Sequence, residues 1–151
     1  MQKLDVMIAR MRLLLADVAA RESDANQAIR QCHLQTEKIM SLTLYCAAAL
    51  DSTLAMMSDV QERRVQCERT LRQLQLVRTR LEGELESLQL TRRVESLRSE
   101  LLTLQARAEG QEAENPDASP SDVARRIHEL QDEINEVSER AARTIGARGN
   151  R

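Results

Sequence analysis

The run IMSLTLYCAAALDSTLAMMSDV, residues 39–60, holds a single charge, Asp51, before Asp59. Read outward, it is the middle of a longer pattern. Alternating steps of three and four from Leu4 land on Ile8, Met11, Leu15, Val18, Glu22, Ala25, Ile29, Cys32, Thr36, Ile39, Thr43, Cys46, Leu50, Thr53, Met57, Val60, Arg64, Cys67, Leu71, Leu74, Arg78, Leu81, Leu85 and Leu88. This is a seven-residue repeat, with Leu4 at d and Ile8 at a. A seam of 3.5-residue period stays against a neighbouring helix only if the two supercoil. The pattern predicts an all-α fold: one continuous coiled-coil helix over 1–88, roughly 130 Å long at 1.5 Å per residue. A shorter helix then returns as a C-terminal αα-hairpin, and the whole assembles into a multi-helix bundle.

Within residues 39–60 the positions beside the seam are apolar too. Met40, Ala47 and Leu54 fall at e, and Leu42, Ala49 and Met56 at g. Two-stranded coils place charges there, so a stripe this broad predicts packing against more than one helix. The expected partner interface comprises Ile39, Met40, Leu42, Cys46, Leu50, Leu54, Met57, Leu71, Leu74, Leu81, Leu85 and Leu88. A membrane span is disfavoured, because Asp51 is central and Asp51, Ser52, Ser58 and Asp59 form a one-sided polar strip.

Glu22, Arg64 and Arg78 occupy a positions, where a charge costs stability but selects register and partner. In a parallel, in-register homodimer each would face its own copy. A heteromeric partner of complementary charge, or an antiparallel or staggered pairing, removes that conflict. Arg63, Arg69, Arg72 and Arg80 lie off the seam as a candidate basic face for an acidic protein surface such as the microtubule wall. Nucleic-acid binding is disfavoured: the apolar seam runs through the arginines, and the chain has one Tyr and no Phe or Trp for base stacking.

Past Leu88 the frame fails, and a new seam runs Leu90, Val94, Leu97, Leu101, Leu104, Ala108. A shift of two residues is about 200°, nearly the opposite helix face. A different neighbour or a hinge is therefore expected at 88–90. Residues 109–119, EGQEAENPDAS, read as a polar loop with an Asn115–Pro116 turn signal. Ser119, Pro120 and Asp122 form a helix start, and Val123, Ile127, Leu130, Ile134, Val137 and Ala141 give the second helix, 120–145, its seam. The tail from Gly146 is expected to be disordered.

The 151 residues include four Gly and two Pro, and 30% are charged, which suits long helices better than a compact mixed fold. The three cysteines all sit at d, spaced as core fillers rather than as metal ligands. The N-terminus carries Asp5, Arg10 and Arg12 and reads as no secretory signal. A cytoplasmic, reducing location, with cytoskeletal association as an option, is the expectation. His33 and His128 stand ninety-five residues apart, and no phosphate-binding, nucleophile-elbow or zinc motif is present. No catalytic residue, metal or cofactor is expected.

A long heptad helix followed by a short returning one resembles the small coiled-coil subunits of hetero-oligomeric cytoskeletal, kinetochore or vesicle-tethering complexes. It also resembles the hairpin stalk proteins of bacterial type III secretion and flagellar export. These resemblances imply a non-enzymatic scaffold built with other coiled-coil proteins. The alternatives are a tethering or fusion factor with a SNARE-like bundle and an export-apparatus stalk.

Overall fold

A computed structural model describes residues 2–45, 49–114 and 120–149. It is all-α: α1 spans Gln2–Tyr45, α2 Leu50–Glu114 and α3 Pro120–Gly149, with no strand among the described residues. Contacts between α1 and α2, and between α2 and α3, are antiparallel.

The single helix expected over 1–88 is therefore two helices, and its seam closes on itself. Helix α1 ends at Tyr45 and α2 begins at Leu50. No Gly or Pro marks the reversal, and the a-to-a step from Thr43 to Leu50 keeps the heptad count intact across it. A long helix leaves its whole seam wet until a partner arrives. Folding back buries the same seam at the cost of ordering one short connection.

The chain divides into two compact units. In the unit Arg12–Glu82, the antiparallel register is fixed by three contacts between α1 and α2. Thr43 pairs with Thr53 (Oγ1–Oγ1 2.9 Å), Arg63 donates to Gln35 (3.3 Å), and Arg78 Nη1 reaches Glu22 Oε2 (3.0 Å). Buried seam residues are Val18, Ala25, Cys32, Ile39, Thr53 and Val60, with Met57 packed on the cluster of Cys32, Ile39 and Val60. This core is lean. Several of its members are small or polar, so each contributes less than the roughly 1.5–3 kcal/mol of a fully buried Leu or Ile.

The other unit comprises Met1–Met11 and Gly83–Arg151. Its core leucines, Leu97 and Leu130, are 1% and 0% exposed, with Val94 beside them in the seam. Three ion pairs set the α2–α3 register: Arg140–Glu86 (3.3 Å), Arg93–Glu133 (2.6 Å) and Arg126–Glu100 (3.0 Å). From the first turns of α1, Ile8 is buried and Asp5 pairs with Arg92 (3.1 Å). The change of seam at 88–90 thus coincides with a change of neighbour: α2 meets α1 through the first frame and α3 through the second.

Two further boundaries differ from expectation. Helix α2 continues through Gly110 to Glu114, where Glu109, Gln111, Glu112 and Ala113 are good helix formers that outweigh one exposed Gly. Helix α3 likewise continues past Gly146 to Gly149. Of the expected polar loop, residues 115–119 lie outside the described residues, as does the N-cap Ser119.

Candidate functional site

Large apolar side chains left exposed gather where α1 ends and α2 begins. Leu34, Met40, Leu42, Leu44 and Tyr45 are exposed on α1, and Leu50, Leu54 and Met56 on α2. For all of them but Leu50, an a residue left exposed at the start of α2, the heptad positions explain why the hairpin does not cover them. The a and d residues fill the space between two helices, and two helices have nothing to lay over e, g, b, c and f. Along α1, Leu34, Leu42 and Tyr45 share one side and line an open groove of about 570 Å³ together with Glu37, Lys38 and Ser41.

Beneath this surface the core is polar but satisfied. Thr53 is buried, and its hydroxyl lies 2.9 Å from that of Thr43. Thr43 Oγ1 also lies 2.8 Å from the Ile39 carbonyl, and Thr53 Oγ1 3.2 Å from that of Ala49. Each hydroxyl has one proton. One threonine therefore donates to its own helix and accepts from the other.

The expected interface residues divide into two groups. Ile39 is buried and Met57 half-buried in the α1–α2 core, and Leu71, Leu74, Leu81, Leu85 and Leu88 are half-buried along α2. Met40, Leu42, Leu50 and Leu54 are exposed at the hairpin end. Cys46 lies outside the described residues. Leu34, Leu44 and Tyr45 were not anticipated. Their signal was available: apolar residues at f, b and c positions in a segment whose seam was already occupied.

Of the three charged a residues, the fold joins two. Glu22, with its side chain only 12% exposed, accepts from Arg78, and Arg78 also donates to Glu82 at 3.0 Å. The Arg78 guanidinium is held above its ordinary value, first by the hydrogen bond to Glu82 and next by the charge of Glu22. Arg64 does not join them; its Nε lies 3.6 Å from Glu68 on its own helix. The sequence conflict of like charges at the seam is thus resolved by antiparallel pairing within one chain.

The four arginines taken as a basic face are all exposed but do not share one face. At 100° per residue, Arg69, Arg72 and Arg80 fall within an arc of about 80°, and Arg63 lies about 100° or more from it. Arg63 is turned instead toward Gln35 of α1.

Among the described residues, no group of His, Cys, Asp and Glu is arranged to hold a metal ion, and no helix is long and apolar enough to cross a membrane. Compared with protein-family models, curated proteins and solved structures, the chain finds no match in any of the three.

Proposed function

We propose that this chain is a non-enzymatic helical scaffold subunit that docks partner helices on the apolar end of its α1–α2 hairpin. The observation that carries the reading is where the apolar surface lies. Apart from Leu50, the described a/d residues of this segment are turned into the chain's own core, while Leu34, Met40, Leu42, Leu44, Tyr45, Leu50, Leu54 and Met56 remain exposed. Contiguous apolar surface of this kind marks interaction sites rather than ordinary solvent-facing helix. The heptad reading is retained, but the work assigned to it changes. The seam builds the subunit, and the residues beside the seam build the assembly.

The expectation of a heteromeric partner rested on charged core positions. Glu22 and Arg78 answer each other within the chain, so that reason for demanding a different protein lapses. Fluorescence-detected sedimentation of the tagged full chain in extract of its own cells tests the reading. The wild-type chain should sediment in a complex heavier than its 17.1 kDa, and a Leu42→Glu, Leu54→Glu variant should not. A wild-type chain that sediments as a free subunit contradicts it.

A further inference from the structure

Among the described apolar seam residues of the unit Arg12–Glu82, Leu50 alone is exposed, at 65%. The register explains why. Thr43 faces Thr53, and one layer farther from the reversal Met57 packs on the cluster that holds Ile39. One seam step from Thr53 toward the reversal is Leu50, and the matching step from Thr43 leads to position 46. Helix α1 ends at Tyr45, so it stops short of the place that faces Leu50. The heptad count nevertheless runs through the reversal without a skip, from Thr43 at a to Leu50 at the next a. A hairpin has no need of that continuity. Two antiparallel copies with the stretch drawn straight require it.

We infer that α1 and α2 exchange between two copies of the chain, α1 of each lying on α2 of the other in an antiparallel, two-fold dimer. Opening the hairpin in this way changes which molecule supplies each contact and leaves the contacts themselves alone. Thr43 meets Thr53, Gln35 meets Arg63 and Glu22 meets Arg78, each pair now formed twice across the dimer. Exchange of an identical element is a low-cost route to a dimer for this reason. The same register sets Leu50 of each copy opposite position 46 of the other, so the dimer covers a seam residue that the hairpin leaves wet. The residues to be straightened, YCAAAL at 45–50, include none that a helix rejects. The chemistry of the seam names the occupant. A helix laid on α1 must offer a hydroxyl to Thr43 and a guanidinium to Glu22 at the spacing of Thr53 and Arg78. The α2 of a second copy does so by construction, and an arbitrary apolar helix does not. The inference goes beyond the docking role proposed above, because it uses the seam rather than the apolar side chains beside it. Exchange requires the seam to come apart, so hairpin and dimer do not interconvert while the chain stays folded. Concentration during folding selects between them, since closing a hairpin involves one molecule and exchange involves two.

Native mass spectrometry of the purified full chain, unfolded in denaturant and refolded, tests this. Wild type refolded at roughly 500 µM should contain dimer that persists on dilution, and wild type refolded at roughly 1 µM should be monomeric. Isotopically light and heavy chains should form mixed dimers when refolded together and none when mixed after folding. The charge pair then shows which surface holds the dimer. Glu22→Arg sets two guanidiniums against each other and Arg78→Glu two carboxylates, in the hairpin and in each homodimer alike. Between the two variants, position 22 of each copy meets an opposite charge at position 78 of the other. Refolded together, they should yield a heterodimer severalfold in excess of random pairing. A wild type that is monomeric after refolding at the higher concentration overturns the inference. So does a dimer whose light and heavy copies mix without refolding, which would be a surface contact. Random pairing of the two variants overturns it as well, and if either variant fails to fold alone the two wild-type measurements still decide.

Discussion

The two halves of this molecule use helical pairing differently. At Leu97 and Leu130, α2 and α3 each bury one leucine fully, and three cross-helix ion pairs line the edges. Within Arg12–Glu82 the seam is filled by Ala25, Cys32, Thr43 and Thr53, while leucines and methionines of the same segment face outward. The first arrangement turns most of its seam residues into its own core and leaves one large apolar side chain of its α2 and α3 segments, Leu102, exposed among the described residues. The second keeps a lean core and presents its bulk to the outside. A helical hairpin that is meant only to be stable has no reason to put Leu44, Leu50 and Leu54 in water. On the docking role proposed above, the contrast separates a structural section from an interacting one.

Core truncations should show the contrast most strongly. Leu130→Ala or Leu97→Ala should cost about 2–5 kcal/mol in chemical denaturation, because each empties a fully enclosed site. Val60→Ala in the lean core, losing two methyl groups, should cost only about 1.5 kcal/mol. Equal losses in the two places would erase the distinction.

Next in size is the seam ion pair. Arg78→Ala leaves the nearly covered Glu22 carboxylate without its partner and should lower the denaturation midpoint. Exchanging the charges, Glu22→Arg with Arg78→Glu, should recover part of that loss. A double-mutant cycle that gives no coupling would mean the pair does not set the register.

The ion pairs along α2 and α3 should matter less. Arg93 and Glu133 are both substantially exposed, so Arg93→Ala should cost below about 1 kcal/mol, and the effect should shrink in high salt. At the hairpin end, Leu54→Glu should change the unfolding free energy by no more than about 0.5 kcal/mol, since the side chain is already exposed. On the proposed docking role, its effect belongs in assembly. Smallest of all is the threonine pair. Replacing both Thr43 and Thr53 by Val removes a satisfied polar pair together, and the result should be close to neutral or slightly stabilising.

Much of this architecture is legible in the residues, and the misreadings have physical causes. The seam positions Ile8, Val18, Ala25, Cys32, Ile39, Thr53 and Val60 are buried, and so are Val94, Leu97 and Leu130 of the later frames. Periodicity reports which face is covered. It does not report by what, because an intrachain and an interchain neighbour leave the same signature. The reversal after Tyr45 is hidden for a second reason: YCAAAL, residues 45–50, contains only residues that a helix accepts. The opposite error occurs at Gly110, where a residue read as punctuation is carried inside α2. Glu22 and Arg78 held the missing clue. Opposite charges at two a positions of one chain are best satisfied by each other, and they can meet only if the chain folds back between them. That Met40, Leu42, Leu54 and Met56 lie outside the seam was legible, and they are exposed. Leu34, Leu44 and Tyr45 were passed over, because a reading that follows the seam does not weigh apolar residues at f, b and c.

The fold-back of α1 on α2 is the central claim, and a distance within the unit Arg12–Glu82 tests it most directly. Spin labels at the exposed positions Gln27 and Arg72, with Cys32, Cys46 and Cys67 replaced, would be measured by pulsed dipolar spectroscopy. Excess unlabelled chain would confine the signal to pairs within one molecule. Antiparallel helices with axes about 8–10 Å apart hold the two labels within about 30 Å of each other. One continuous helix would separate them by about 68 Å. A distribution centred below about 30 Å upholds the hairpin, and one near 68 Å would contradict it and return the chain to an extended rod.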